Sequence, residues 1–291
     1  MDVQANADQL PILKADETNR TVPCCISCTK CPTTSQYVLP DYVPTWRFGV
    51  PSSCEAVTIS INPAENRSNA RPLPRLSKDF GGKTRRELDD KDLSNISLRQ
   101  DLYFSGGNKH PFFGPLEQLV QAINSEWTYK SGRLTHADPV ACVTSQPWSR
   151  LLKSAGACSK IDNKLQKSVQ DTLIRNCRVH FLNTLNSLPP QCWILCDGKT
   201  AWDATLSAAQ FIRAYDVAAG RYRLSAGILA VGDRTLRFGA WNLPAFYCDK
   251  EATGHAVKCL MDVATLFARW CPKDITRVLS KVLPDCRFTN A

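Results

Sequence analysis

Apolar and polar positions follow two different periods along this chain. The stretch "AVTISI" (56–61) steps in the two-residue rhythm of a strand, and "PLEQLVQAINSEW" (115–127) places its apolar residues at helical spacing. Further on, "PVACVTS" (139–145) is strand-like and "IDNKLQKSVQDTLIRNCRVHFLNTL" (161–185) is helical. A short apolar run, "QCWILCDG" (191–198), is closed by Gly198. After it "KTAWDATLSAAQFIRAYD" (199–216) predicts a helix, "TLRFGAW" (235–241) a strand, and "AVKCLMDVATLFARWC" (256–271) a last amphipathic helix.

Strands that alternate with helices imply a parallel sheet covered on both faces. The expected fold is therefore α/β, with three α/β/α layers around a central, mainly parallel, four-stranded sheet. In such sheets ligands bind beyond the carboxyl ends of the strands. Residues 1–35 form an expected cysteine-bearing extension, and residues 36–291 the α/β domain. The stretch 67–100 is charged, carries Pro and Gly, and shows little apolar periodicity. It is expected to be a solvated loop or a basic arm, with Arg67, Arg71, Arg85 and Arg86 as candidate phosphate contacts.

Composition narrows the class. With 291 residues and 43% hydrophobic positions the chain can bury a substantial core. Its formal charge of +9, from 36 Lys and Arg against 27 Asp and Glu, favours an anionic partner such as nucleic acid. No apolar run is long enough for a membrane span, and the amino terminus lacks a charged segment followed by an apolar one, so a cytoplasmic protein with no membrane partner is expected. Fourteen cysteines in a chain of this length then read as reduced thiols rather than a disulfide framework.

Four of those cysteines are crowded. Cys25, Cys28 and Cys31 stand three apart, a spacing that lets a loop wrap thiolates round one metal, and Cys24 or Cys54 could complete the set. The site could hold zinc or an iron–sulfur cluster; a cysteine-rich coil without metal remains the alternative.

The predicted strand ends carry polar groups: "SINPAEN" (60–66), "HADPVACVTSQPW" (136–148) and "GAWNLPAFY" (239–247), with "YFSGGNKHPFFGPLEQL" (103–119) between the first two. In this order these stretches resemble the uracil-DNA glycosylase superfamily, within it a divergent bacterial branch nearest the mismatch-specific enzymes, over roughly residues 40–270. The resemblance implies a uracil-DNA-glycosylase-like fold and a monofunctional glycosylase that extrudes a nucleotide and cleaves its N-glycosidic bond, without a cofactor for the chemistry and without lyase activity.

It implies roles as well. Asn62 would hold the attacking water at the strand tip, with Pro63 fixing the turn that presents Ala64 to the base. Phe112 or Phe113 would stack on the extruded base, the pair being expected to divide between stacking and core packing. Asp138 and Thr144 would read the base edge. Because an ionised Asp only accepts hydrogen bonds, Asp138 favours an amino-bearing base, a modified cytosine such as viral DNA carries, and hence defence against phage. Many members carry histidine in the last motif; Asn242 stands there instead, a weaker stabiliser of the leaving base. Leu243, Phe246 and Tyr247 are candidate wedges into the duplex. Two alternatives stay open: repair of uracil or mismatched thymine, and a catalytically silent DNA-binding module.

Overall fold

The computed structural model describes residues 25, 26, 28, 30, 31, 38–61, 73–105, 112–121, 124–144, 163–189, 192–208, 210–219, 222–231, 234–241 and 288–289. One mixed sheet organises them. Its strands are β1 (Arg47–Phe48), β2 (Ala56–Ile59), β3 (Leu134–Ala137), β4 (Trp193–Asp197), β5 (Gln210–Ala219), β6 (Tyr222–Val231), β7 (Arg234–Trp241) and β8 (Phe288–Thr289), in the spatial order β1-β3-β2-β4-β7-β6-β5-β8. The pairs β3–β2, β2–β4 and β4–β7 are parallel. The described chain is thus α/β, with four parallel strands in one half of the sheet and antiparallel strands beyond them.

The central parallel strands β2 and β4 are short and largely apolar because both faces are covered. All of Ala56, Val57, Thr58 and Ile59 in β2 are buried, as are Trp193 to Cys196 of β4. One cover is α4 (Asn163–Ser187), whose Leu173, Cys177, Phe181 and Leu185 recur every four residues and pack with Val57, Ile59, Ala137 and Ile194. On the other side Phe113, at the start of α3 (Phe113–Gln121), meets Phe48, Tyr103, Phe104, Tyr129 and His136. From α3, Leu116 and Val120 are also buried. Among the described residues no helix is long and apolar enough to cross a membrane.

Three expectations need correction. The helix expected over 199–216 is α5 (Gly198–Ala208), and the chain then turns into β5. Residues 211–219 read "FIRAYDVAA", and their pairing with β6 overrides the helical period. The second parallel strand is "LTHA" rather than "PVACVTS"; past Ala137 the backbone leaves the ladder, and only Thr144 makes a bridge, to Val38. Part of the stretch 67–100 is ordered helix: α1 (Leu76–Asp79) and α2 (Asp90–Asp101). Asp89 caps α2 by accepting from the Lys91 and Asp92 amides, and the Asp92 side chain returns to the Asp89 amide, a reciprocal cap that offsets weak periodicity. Ile96 and Gln100 anchor the helix inward. The expected last helix, 256–271, lies outside the described residues.

Candidate functional site

The parallel register puts the strand ends side by side. Ile59 of β2 pairs with Ala137 of β3 and Cys196 of β4, and Asp197 pairs with Trp241 of β7. The next residue in each case is polar or is the last of its strand: Ser60, Asp138, Asp197, and Asn242 by sequence. The Ser60 amide donates to the Ala137 carbonyl at 3.3 Å and the Val140 amide to the Ile61 carbonyl at 2.9 Å, so the β2 and β3 tips stay joined past the ladder.

A buried polar chain runs beneath this edge. Tyr129 Oη and Thr58 Oγ1 are 2.7 Å apart, Thr58 Oγ1 and His136 Nδ1 2.8 Å, and His136 Nε2 and Asp138 Oδ1 3.3 Å. A carboxylate at Asp138 accepts only, which makes Nε2–H the donor; Thr58 then donates to Nδ1 and Tyr129 to Thr58. Burial raises the Tyr129 pKa far above an ordinary phenol, so its hydroxyl keeps the proton the chain requires. His136 and Asp138 expose 2% and 3% of their surface, and a buried pair of this kind persists because each polar atom has a partner.

Asp197 extends the cluster across β2. Ser60 Oγ donates to its Oδ2 at 3.4 Å, and burial pushes its carboxyl up to about 6, with Asp138 adding repulsion while His136 and Ser60 oppose the shift. Such a carboxyl can exchange a proton near neutral pH. The motif comparison passed over it, although a carboxylate ending the run "CWILCDG" ahead of Gly198 was a visible signal. Gly198 holds φ +81, a left-handed turn that starts α5 immediately behind the strand tip.

The two phenylalanines differ in burial. Phe113 is buried, 5.0 Å from the His136 ring and inside the aromatic group, whereas Phe112 is half-buried with its ring 6.0 Å from His136. Thr144 is fully buried and its backbone bridges Val38. Asn62, Ala64, Arg67, Arg71, Asn242, Leu243, Phe246, Tyr247 and Cys24 lie outside the described residues.

Arg85 is not an arm residue. It is 8% exposed and donates through Nη2 to the Tyr42 carbonyl at 2.8 Å, while Nε and Nη1 find no partner among the described residues. Its neighbours neutralise one another: Arg75 pairs with Asp41, Lys83 with Asp89 and Asp92, and Arg99 with Asp79. Arg86 is exposed. The aliphatic part of Arg85 suits the interior because the preceding segment folds down on α2 rather than into solvent.

The cysteines regroup as well. Cys25 packs with Ile26, Val43, Trp46 and Ile96, and Cys28 is half-buried. Among the described residues the Cys54 and Cys192 sulfurs lie 3.6 Å apart, and Cys31, Cys142 and Cys177, all buried, gather with their sulfurs within 4.8 Å of one another, a trio that could bind a metal ion. The Cys28-x-x-Cys31 spacing pointed to one member of this set; the other two reach it only through the fold. Hydrogen bonds from the Cys142 and Cys177 thiols hold Cys31 down to about 3, and Asn176 Nδ2 donates to its sulfur at 3.5 Å. The bonds to Cys142 and Cys31, with burial, push Cys177 well above an ordinary thiol. The positive charge of Arg85 favours a thiolate at Cys31 and Cys142.

An open groove of about 580 Å³ between α4 and α5, lined by Lys167, Asp171, Arg175, Arg178, Thr200 and Asp203 among others, shares no residue with either cluster. No family model matches the chain, and no curated protein or solved structure matches it.

Proposed function

We propose that the chain is a monofunctional DNA glycosylase that extrudes a non-standard nucleotide and hydrolyses its N-glycosidic bond. The observation that carries this reading is the row of Ser60, Asp138 and Asp197 at the carboxyl edge of parallel strands, with His136 bonded between Thr58 and Asp138. Ligands of open α/β sheets bind at this edge, and a neutral-pH carboxyl beside a hydroxyl is suited to handling a water proton.

In the proposed reaction the C1′–N bond breaks and the base departs with the bonding electrons, leaving an oxocarbenium-like sugar. Asn62, which follows Ile61 past the end of β2, holds the water whose oxygen bonds to C1′. The water proton passes to Asp197, and the departing base takes up a proton from solvent while Asn242 steadies its charge. Phe112 stacks on the extruded base and Asp138 accepts from its exocyclic amine, which favours a modified cytosine over uracil or thymine. The formal charge of +9 supports DNA as the partner, and defence against phage DNA is the role that such a base suggests. A metal held by Cys31, Cys142 and Cys177 would stand outside this chemistry.

Duplexes carrying modified cytosines, uracil or mismatched thymine, incubated with the protein and then treated with alkali, test the reading. Strand breaks at the modified cytosine are expected, and breaks at uracil or thymine alone would reassign the base. Breaks in none, with DNA still bound, would leave a silent binding module and overturn the enzyme.

A further inference from the structure

The thiol trio forms a second centre, built from residues other than the polar groups at the strand tips. Cys31 comes from the amino-terminal segment, Cys142 from the loop after β3, and Cys177 from the middle of α4. Ordinary core packing explains single buried cysteines, and this chain has several, such as Cys196. Core packing does not call for three sulfurs within 4.8 Å of one another.

We propose that Cys31, Cys142 and Cys177 bind one soft divalent ion of the zinc class. The sulfur spacing argues for a single ion. Zinc–sulfur bonds of about 2.3 Å in a tetrahedron place neighbouring sulfurs about 3.8 Å apart. The observed limit of 4.8 Å is close to that edge, whereas a four-iron cluster puts each thiolate on a separate iron and spreads them further. On binding, the ion displaces the thiol protons to solvent and takes three thiolate electron pairs, so a divalent ion leaves a net charge of about −1. The ion would tie the amino-terminal segment and the β3 loop to α4 within one core cluster.

The test uses the full chain, purified under reducing conditions without chelator, with metals measured by mass spectrometry and the apoprotein titrated with cobalt(II). The expected result is about one zinc per chain and a thiolate-to-cobalt charge-transfer band that saturates at about one equivalent. Cys31→Ser and Cys177→Ser should each lose the metal and most of the band, while Cys54→Ser, a buried cysteine outside the trio, keeps both. Should the serine variants fail to fold, Cys177→His preserves a ligand and is expected to retain zinc with a blue-shifted cobalt spectrum. Reduced protein with no metal and no cobalt band would overturn the proposal. So would iron with acid-labile sulfide in place of zinc, or full metal content in Cys31→Ser.

Discussion

The two buried clusters solve the same problem in opposite ways. At the strand tips Tyr129, Thr58, His136 and Asp138 hand a hydrogen bond from one to the next, each group matched by a donor or acceptor of its own hardness. Around Cys31 three thiols crowd within 4.8 Å of one another, with Asn176 Nδ2 donating to the Cys31 sulfur. The first arrangement is complete in itself and orients groups for proton transfer; the second has more soft donor capacity than its own hydrogen bonds use. Burial alone therefore does not define a site's chemistry. The identity of the donors does.

Substitutions can separate the two clusters. Phe113→Ala removes the ring packed against His136, Tyr129 and Phe104, and is expected to cost about 3–5 kcal/mol in denaturant unfolding. Phe112→Ala, at the half-buried neighbour, should leave stability within about 1 kcal/mol and weaken binding of DNA containing the target base instead. Equal losses for both would place Phe112 in the core.

Asn62→Ala is expected to slow base release about 100-fold or more in single-turnover assays while DNA affinity in gel shift stays unchanged. Matching losses of affinity and rate would show that the amide binds DNA rather than the water. Thr58→Val leaves Tyr129 Oη and His136 Nδ1 without their shared partner and should cost about 1–3 kcal/mol, with a displaced pH–rate profile as the sign that His136 has turned.

Asp197→Asn is expected to change stability with the opposite sign. The carboxyl titrates near 6 in the fold against about 3.9 unfolded, so between those values the folded state binds more protons. Its contribution to stability is fully present below about pH 4 and is lost as the pH rises through 6. The amide should therefore stabilise the protein at pH 7 by about 1–2 kcal/mol, a figure reduced for the part-exposed carboxyl, with no gain at pH 3.5. Base release should fall at the same time. A variant that is both more stable and less active is what a functional carboxyl predicts; one that loses stability at pH 7 would make Asp197 a structural residue.

Much of the fold was legible where local pattern and tertiary environment agree. The helix expected over 161–185 is α4 at Asn163–Ser187, because its apolar face repeats every four residues for its whole length. The strand "AVTI" and the run "WILCD" fall where their burial on both faces predicts. Legibility failed where pairing decided the outcome. The stretch "QFIRAYDVAA" has apolar residues that suit either period, and its antiparallel partner β6 selects the strand. Asp138 and His136 were visible as polar residues in an apolar context, but that Thr58, 71 residues from Tyr129 and 78 from His136, joins them into one chain could not be read from the sequence.

Sequence by itself determined the alternation of helix and strand, the polar residues at the strand ends, and the surplus of positive charge, since each is a local property of neighbouring residues or a sum over all of them. Only the tertiary structure decided that Arg85 is interior rather than surface, and that Cys31 gathers with Cys142 and Cys177 instead of Cys25 and Cys28. The reason is physical: which side chains meet depends on how α4 and the loop after β3 close over the same sheet, and contacts between segments more than a hundred residues apart in the chain leave no periodicity to read.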